Sequence, residues 1–319
     1  MSSAMQELAA ARRKHNQFKM KCIVPDEQGV LCGKAPIRSH SIQHNGILSR
    51  LAEDGIVYCL GETTKGEEIF EYDLKDKGIT QEASVFKCLC KEHDDALFAD
   101  IEKRVFCKEP KQCFQYALKA LLHSYWSNYN DVGITDKYKQ EVQIAQQISE
   151  DQKTYSDELN RFWEIYQSEQ YEELLCKVIT INREVGSAVS TSINMCRKLD
   201  GSLFGKENDN YPLLHISVFP TEGMSYLLIS ALKENEPYFR AFTQQFMLFS
   251  EETILKRFNI ILPLLADNIM ISPRIVNRMT AEEKQHLLTV FRLETLSFYY
   301  QIGIDINQWA DQVSYNIWG

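Results

Sequence analysis

Cys22, Cys32, Cys90 and His93 fall into two pairs separated by some three strands' worth of chain, and no other feature constrains the fold as much. Zinc takes four soft or borderline ligands in a tetrahedron, and proteins supply them as pairs presented by a turn or a helix start. The first pair, Cys22-x9-Cys32-Gly33-Lys34, encloses a turn-rich stretch with Pro25, Asp26 and Gly29. The second, Cys90-x2-His93, has the spacing that a helix N-terminus presents. Nine intervening residues exceed the usual two to four of the first pair. Cys88 competes with Cys90, and the spacing to His93 favours Cys90. The expectation is that residues 22 to about 102 fold around one structural Zn2+; the bland alternative is independent buried thiols and a surface histidine.

The order of parts, a knuckle, then a β-hairpin, then a helix bringing the last two ligands, looks like a treble clef. Within it, Arg38-Ser39-His40-Ser41-Ile42 and Cys90-Lys91-Glu92-His93-Asp94 resemble the HNH (ββα-metal) endonuclease family. In that family a knuckle is followed by a histidine ending the first strand, and a metal-binding residue directly follows the helix-start ligands. The resemblance covers about 22–104, roughly a quarter of the chain. It implies a nuclease in which His40 is the general base and Asp94 holds a catalytic Mg2+ or Mn2+, with Asn45, His44 or Glu102 as third partner.

This chain departs from the pattern at two places. Asp94, Phe98 and Glu102 share a helical face, and Phe98 stands where a second metal ligand is usual; Gln43 stands where an apolar-Pro pair is common. His40 therefore keeps two other readings, a structural histidine bonded to the knuckle or an alternative zinc ligand. Asp94 keeps that of an acid favoured by the helix dipole. The pattern C…SHSI…CxxHDxxLFxxIE also resembles uncharacterised bacterial proteins associated with phage-defence loci.

Of 319 residues, 44% are hydrophobic and 25% charged, the composition of an ordered protein. The net charge is −9, unevenly spread: residues 1–130 carry 18 Lys+Arg against 18 Asp+Glu, leaving 17 against 26 beyond. Phosphate backbones are bound mostly through Lys and Arg. A DNA contact thus belongs at the N-terminal end, and a protein partner suits the acidic remainder. No stretch of 18 apolar residues exists, and the N-terminus has no apolar signal core, so the chain reads as cytoplasmic, without a membrane span. Nine cysteines there are expected to be ligands and small core residues, not disulfides. No Walker-type, GxGxxG or GxSxG motif occurs.

Along the chain the pattern predicts a helix over 4–18, a short strand and helix ending near Gly55, strands IVYCL and EEIFEYDL, a third strand ASVFKCLC, and a helix from Lys91. From 111 the chain reads as mainly helical: one amphipathic helix, a long charged helical hairpin, a β-hairpin about the turn PTEG, and helices with Ser250 and Thr280 as N-caps. The fold class expected is α+β, with a treble-clef domain over 1–110 and a larger, mainly α-helical domain with one β-hairpin over 111–319. A zinc-stabilised HNH-like nuclease, with the C-terminal part gating it or recognising a partner, is the functional expectation. The alternative is a non-catalytic zinc module that binds protein through the acidic part; a homo-oligomer is left open.

Overall fold

The computed structural model describes residues 20–65, 68–135, 142–205, 211–292 and 312–319. The helix expected over 4–18, and the part of the last helix beyond 292, lie outside these residues.

The local elements of the N-terminal region follow the sequence pattern. Strand β1 (Ser39–His40) is followed by helical turns at His44–Leu48 and Ser49–Leu51, and Gly55 takes the positive φ of 75° that ends this segment. Strands β2 (Ile56–Lys65) and β3 (Glu68–Gly78) form an antiparallel hairpin. The third strand is reduced to β4 (Val85–Phe86), which pairs with β1 so that His40 lies opposite Val85. Helices α1 (Lys91–Leu97) and α2 (Ala99–Lys103) then replace the single helix expected.

The larger part is not mainly helical with one hairpin. After α3 (Pro110–Thr135) and α4 (Val142–Ser168) come β5 (Leu174–Ile181), β6 (Ser187–Asn194), β7 (Leu213–Pro220) and β8 (Ser225–Leu232). Helices α5 (Glu236–Thr243) and α6 (Glu251–Leu265), strand β9 (Ile269–Ile271), and helices α7 (Pro273–Val276) and α8 (Ala281–Arg292) complete the described chain. The strands make one antiparallel seven-stranded sheet in the order β3-β2-β9-β6-β7-β8-β5. The expected hairpin β7–β8 exists, but inside this sheet. The charged stretch expected to form a helical hairpin by itself supplies one helix, α4, which packs on α3 with Phe114 and Phe162 stacked 5.3 Å apart.

The physical reason for the missed strands lies in their composition. β6 (SAVSTSIN) has no apolar alternation, yet Ser187, Ser190, Thr191 and Ser192 are all buried. Ladder hydrogen bonds and neighbouring side chains hold it there, not hydrophobicity. β5 is half-buried along most of its length and follows directly on the acidic run after α4.

Side chains alternate across the sheet. On β7, Leu213 and Phe219 join a core with α3, α4 and the zinc-knuckle region, whereas Leu214, Ile216 and Val218 join a second core under α6 and α8. The caps expected at Ser250 and Thr280 are present: Thr253 N donates to Ser250 Oγ (3.2 Å), and Thr280 exchanges bonds with Glu283.

Candidate metal centre and the groups beside it

Pro25 and Leu31 pair as an isolated antiparallel bridge, Asp26 N donates to Val30 O (2.9 Å), and Asp26 Oδ1 accepts from Gln28 N (2.9 Å) and Val30 N (2.8 Å). The nine residues of the long first spacing thus double back on themselves. Cys32 N then reaches Val24 O (2.9 Å), and Gly33, at a φ of 65° that favours glycine, returns its N–H to Cys22 O (3.0 Å). The knuckle lies along the segment before α1 through Ile23 N to Cys88 O (3.1 Å) and Ile37 N to Leu89 O (2.8 Å). Cys90 follows in an extended N-cap conformation, and His93 stands one turn into α1.

These constraints bring Cys22, Cys32, Cys90 and His93 together, with one ligand atom from each lying within 4.8 Å of all the others. Cys22 Sγ and Cys90 Sγ are 3.2 and 3.5 Å from His93 Nδ1, and Cys32 Sγ is 3.9 Å from Cys90 Sγ. Around tetrahedral zinc, bonds of about 2.3 Å to sulfur and about 2.0 Å to nitrogen give edges of roughly 3.8 Å between sulfurs and roughly 3.5 Å from sulfur to nitrogen. The Cys3His set matches and could hold a structural zinc ion. Cys88 stays outside it, fully buried in the core, its thiol pushed well up by burial. The Cys32 thiol is pulled down by the backbone of Lys34, and burial pushes Cys90 up to about 11, so zinc uptake displaces protons.

His40 lies outside the four grouped ligand atoms, and its ring bonds a carbonyl away from the knuckle. Its Nε2 lies 2.9 Å from the carbonyl of Ile79, beyond β3. A carbonyl only accepts, so Nε2 carries the proton and Nδ1 is the basic nitrogen of the neutral ring. Burial holds His40 below its ordinary value of 6.5, outweighing the Ile79 bond. The backbone after it is clamped: Ser41 N donates to Ser84 O (2.9 Å), Ile42 N to Ser84 Oγ (3.0 Å), and Asn268, before β9, donates from Nδ2 to Ser41 Oγ (2.8 Å).

Asp94 is half-buried and raised by that burial; its buried Oδ1 has no hydrogen-bond partner, and the Ser39 hydroxyl lies beside the carboxylate without a well-formed bond. The three candidates for third partner behave differently. Glu102 is taken by the Lys119 ammonium, His44 Nδ1 pairs with Asn45 Oδ1 at 2.8 Å, and the His44 ring stands 5.4 Å from that of His40. Lys119 itself, on α3, was not legible as a site residue. It is 3% exposed, and its Nζ sits 4.8 Å over the Phe98 ring, within electrostatic range of Asp94 and His40. The one signal was a lysine inside the apolar run Ala117-Leu118-Lys119-Ala120-Leu121.

Among the described residues, the zinc set is the only group of three or more His, Cys, Asp or Glu side chains close enough to share an ion. The Mg2+ or Mn2+ that the HNH resemblance implies does not fit His40, Asp94 and Glu102 as they stand. A separate network of Ser192, His215 and Glu158 has Ser192 Oγ 2.8 Å from His215 Nδ1 and His215 Nε2 3.0 Å from Glu158 Oε1. All three residues are buried, so this network fastens α4 to the sheet and offers no serine to a substrate.

No helix among the described residues is long and apolar enough to cross a membrane. Comparison with models of protein families, with curated proteins and with solved structures gives no match, so the HNH resemblance rests on its motifs alone.

Proposed function

We propose that the protein is a zinc-stapled, HNH-like nuclease whose phosphodiester-cleaving centre is built on His40 and flanked by Asp94 and Glu102. The observation that carries this reading is the 2.9 Å bond from His40 Nε2 to the Ile79 carbonyl. A ring so held, and kept neutral by burial, offers its Nδ1 lone pair to a water near neutral pH. In the step, Nδ1 takes a proton from water as the water oxygen bonds to phosphorus; the bond from phosphorus to the leaving oxygen breaks, and that oxygen takes a proton from solvent. The zinc set would hold the knuckle that precedes β1 against the start of α1, with no part in the step. The basic residues Arg12, Arg13, Lys14, Lys19 and Lys21 make the N-terminal end the natural side for DNA. A reducing, cytoplasmic setting goes with nine free cysteines.

The test is cleavage of labelled single- and double-stranded DNA and RNA by the zinc-loaded chain. His40→Ala should keep its zinc and lower the rate by about 10²- to 10⁴-fold, the usual worth of a general base. Cleavage at the wild-type rate in that variant would refute the reading.

One observation favours a second reading, a non-catalytic zinc module with a protein partner on the acidic part: Glu102, a group the first reading needs, is already paired with Lys119. Under it, no nucleic acid is cut, and the effect of His40→Ala is confined to the roughly 1–3 kcal/mol of stability that loss of the Ile79 bond costs under either reading.

A further inference from the structure

Two cysteines outside the metal set meet where α3 begins. Cys113, near the start of α3, is 3% exposed, whereas Cys176 is half-buried on β5. β5 is the last strand in the sheet order and pairs with β8 on one side. Side chains alternate along a strand, so Cys176 and Thr180 share a face. The first turns of α3 lie along that face: Lys108 Nζ donates to Thr180 Oγ1 (3.1 Å), and the rings of Phe114 and Tyr171 stand 5.2 Å apart. Cys113 and Cys176 pack there within one core. Their thiols interact directly: hydrogen bonding with Cys176 holds Cys113 well above its ordinary 9.0, and the same contact holds Cys176 below it. A buried, protonated sulfur thus stands beside one that ionises more readily and lies nearer solvent. Neither is grouped with the zinc ligands. Cys107 is exposed close by, but its thiol donates to Gln112 Oε1 (3.3 Å).

We infer that Cys113 and Cys176 are a peroxide-sensitive dithiol pair, which closes to a disulfide tying the start of α3 to the edge strand β5. The thiolate is the reactive form of cysteine, and the half-buried Cys176 is the one a small oxidant reaches first. Its sulfur attacks one oxygen of hydrogen peroxide; the O–O bond breaks, the departing hydroxide takes a proton and leaves as water, and Cys176 becomes a sulfenic acid. The Cys113 sulfur then attacks the Cys176 sulfur, the S–O bond breaks, and the hydroxyl leaves as a second water with the Cys113 proton. Two thiols thereby lose two electrons to one peroxide. The bond fastens α3 at the end from which Gln115 Oε1 accepts from Ile101 N of α2 (3.1 Å), so the oxidised form holds the sheet and the zinc-bearing region through one covalently fixed helix.

The test titrates the zinc-loaded full chain with hydrogen peroxide, maps its cysteines by mass spectrometry after digestion without reductant, and follows released zinc with a chromogenic chelator. A slight excess of peroxide should give one link per chain, between Cys113 and Cys176, with the zinc retained and the link reversed by dithiothreitol. Cys113→Ala removes the resolving thiol, so Cys176 should stop at the sulfenic acid and be trapped by dimedone. Cys176→Ser should leave Cys113 a free thiol at the same dose. A wild-type chain whose Cys113 and Cys176 both stay alkylatable at the dose that releases its zinc overturns the inference, as does a link from Cys113 to Cys107, or a folded Cys113→Ala variant in which dimedone misses Cys176. The wild-type map decides even if neither variant folds.

Discussion

Cys90→Ser isolates the metal from everything else that Cys90 does. Cys90 is the N-cap of α1, extended at φ −81° and ψ 166°, and its side chain makes no capping bond. Serine is among the preferred N-caps, so the helix start should be as good or better after the change. What is lost is one thiolate, with edges of 3.9 Å to Cys32 and 3.5 Å to His93. Structural zinc contributes an apparent binding free energy of about 10–16 kcal/mol; shared over four bonds, one ligand is worth roughly 3 kcal/mol, or about a hundredfold in affinity. The effect should not stay local. Cys22 and Cys90 share a buried core with Phe114, Leu118 and Leu121 of α3, and β2 hydrogen-bonds to β9 through Tyr58–Ile271 and Cys59–Met270. Competition with a chromogenic chelator measures the affinity, and thermal melting by far-ultraviolet circular dichroism, with and without chelator, measures the coupling. A serine variant holding zinc within about threefold of wild type would refute the ligand assignment. A chelated protein whose helical melt is unshifted would refute the shared core.

Burial holds both His40 and His123 below the ordinary 6.5. Below 6.5 the unfolded chain takes up protons there that the folded chain refuses, so their contribution is complete above 6.5 and is lost as the pH falls toward the folded values. Urea unfolding on either side of 6.5 should show this loss, and His40→Gln should recover part of it; an unchanged pH dependence in that variant rules His40 out as a source. Asn268 is 1% exposed and donates to Ser41 Oγ and Ser190 O, each at 2.8 Å. Asn268→Ala should cost about 1–3 kcal/mol in denaturant unfolding, since both acceptors stay buried; no loss would mean that neither bond contributes.

The sequence by itself determined what depends on neighbours along the chain. The pair Cys90-x2-His93 sits at a helix start because that spacing spans one helical turn, and Pro25, Asp26 and Gly29 fold the long first spacing back on itself. The hairpins β2–β3 and β7–β8 and the caps at Ser250 and Thr280 come from turn and capping chemistry of the same short range. Tertiary structure decided the rest. β6 carries four buried Ser and Thr residues and becomes a central strand only because β7 and β9 flank it, supplying partners from distant parts of the chain. Strand β9 is three residues long, too short to show a period, yet it joins the N-terminal hairpin to the sheet. The same holds at the candidate site: Glu102, Phe98 and Asp94 were readable as one helical face, but the cation above them arrives from α3. A buried charge is tolerated only where the fold brings a carboxylate to meet it, and that meeting exists in three dimensions alone.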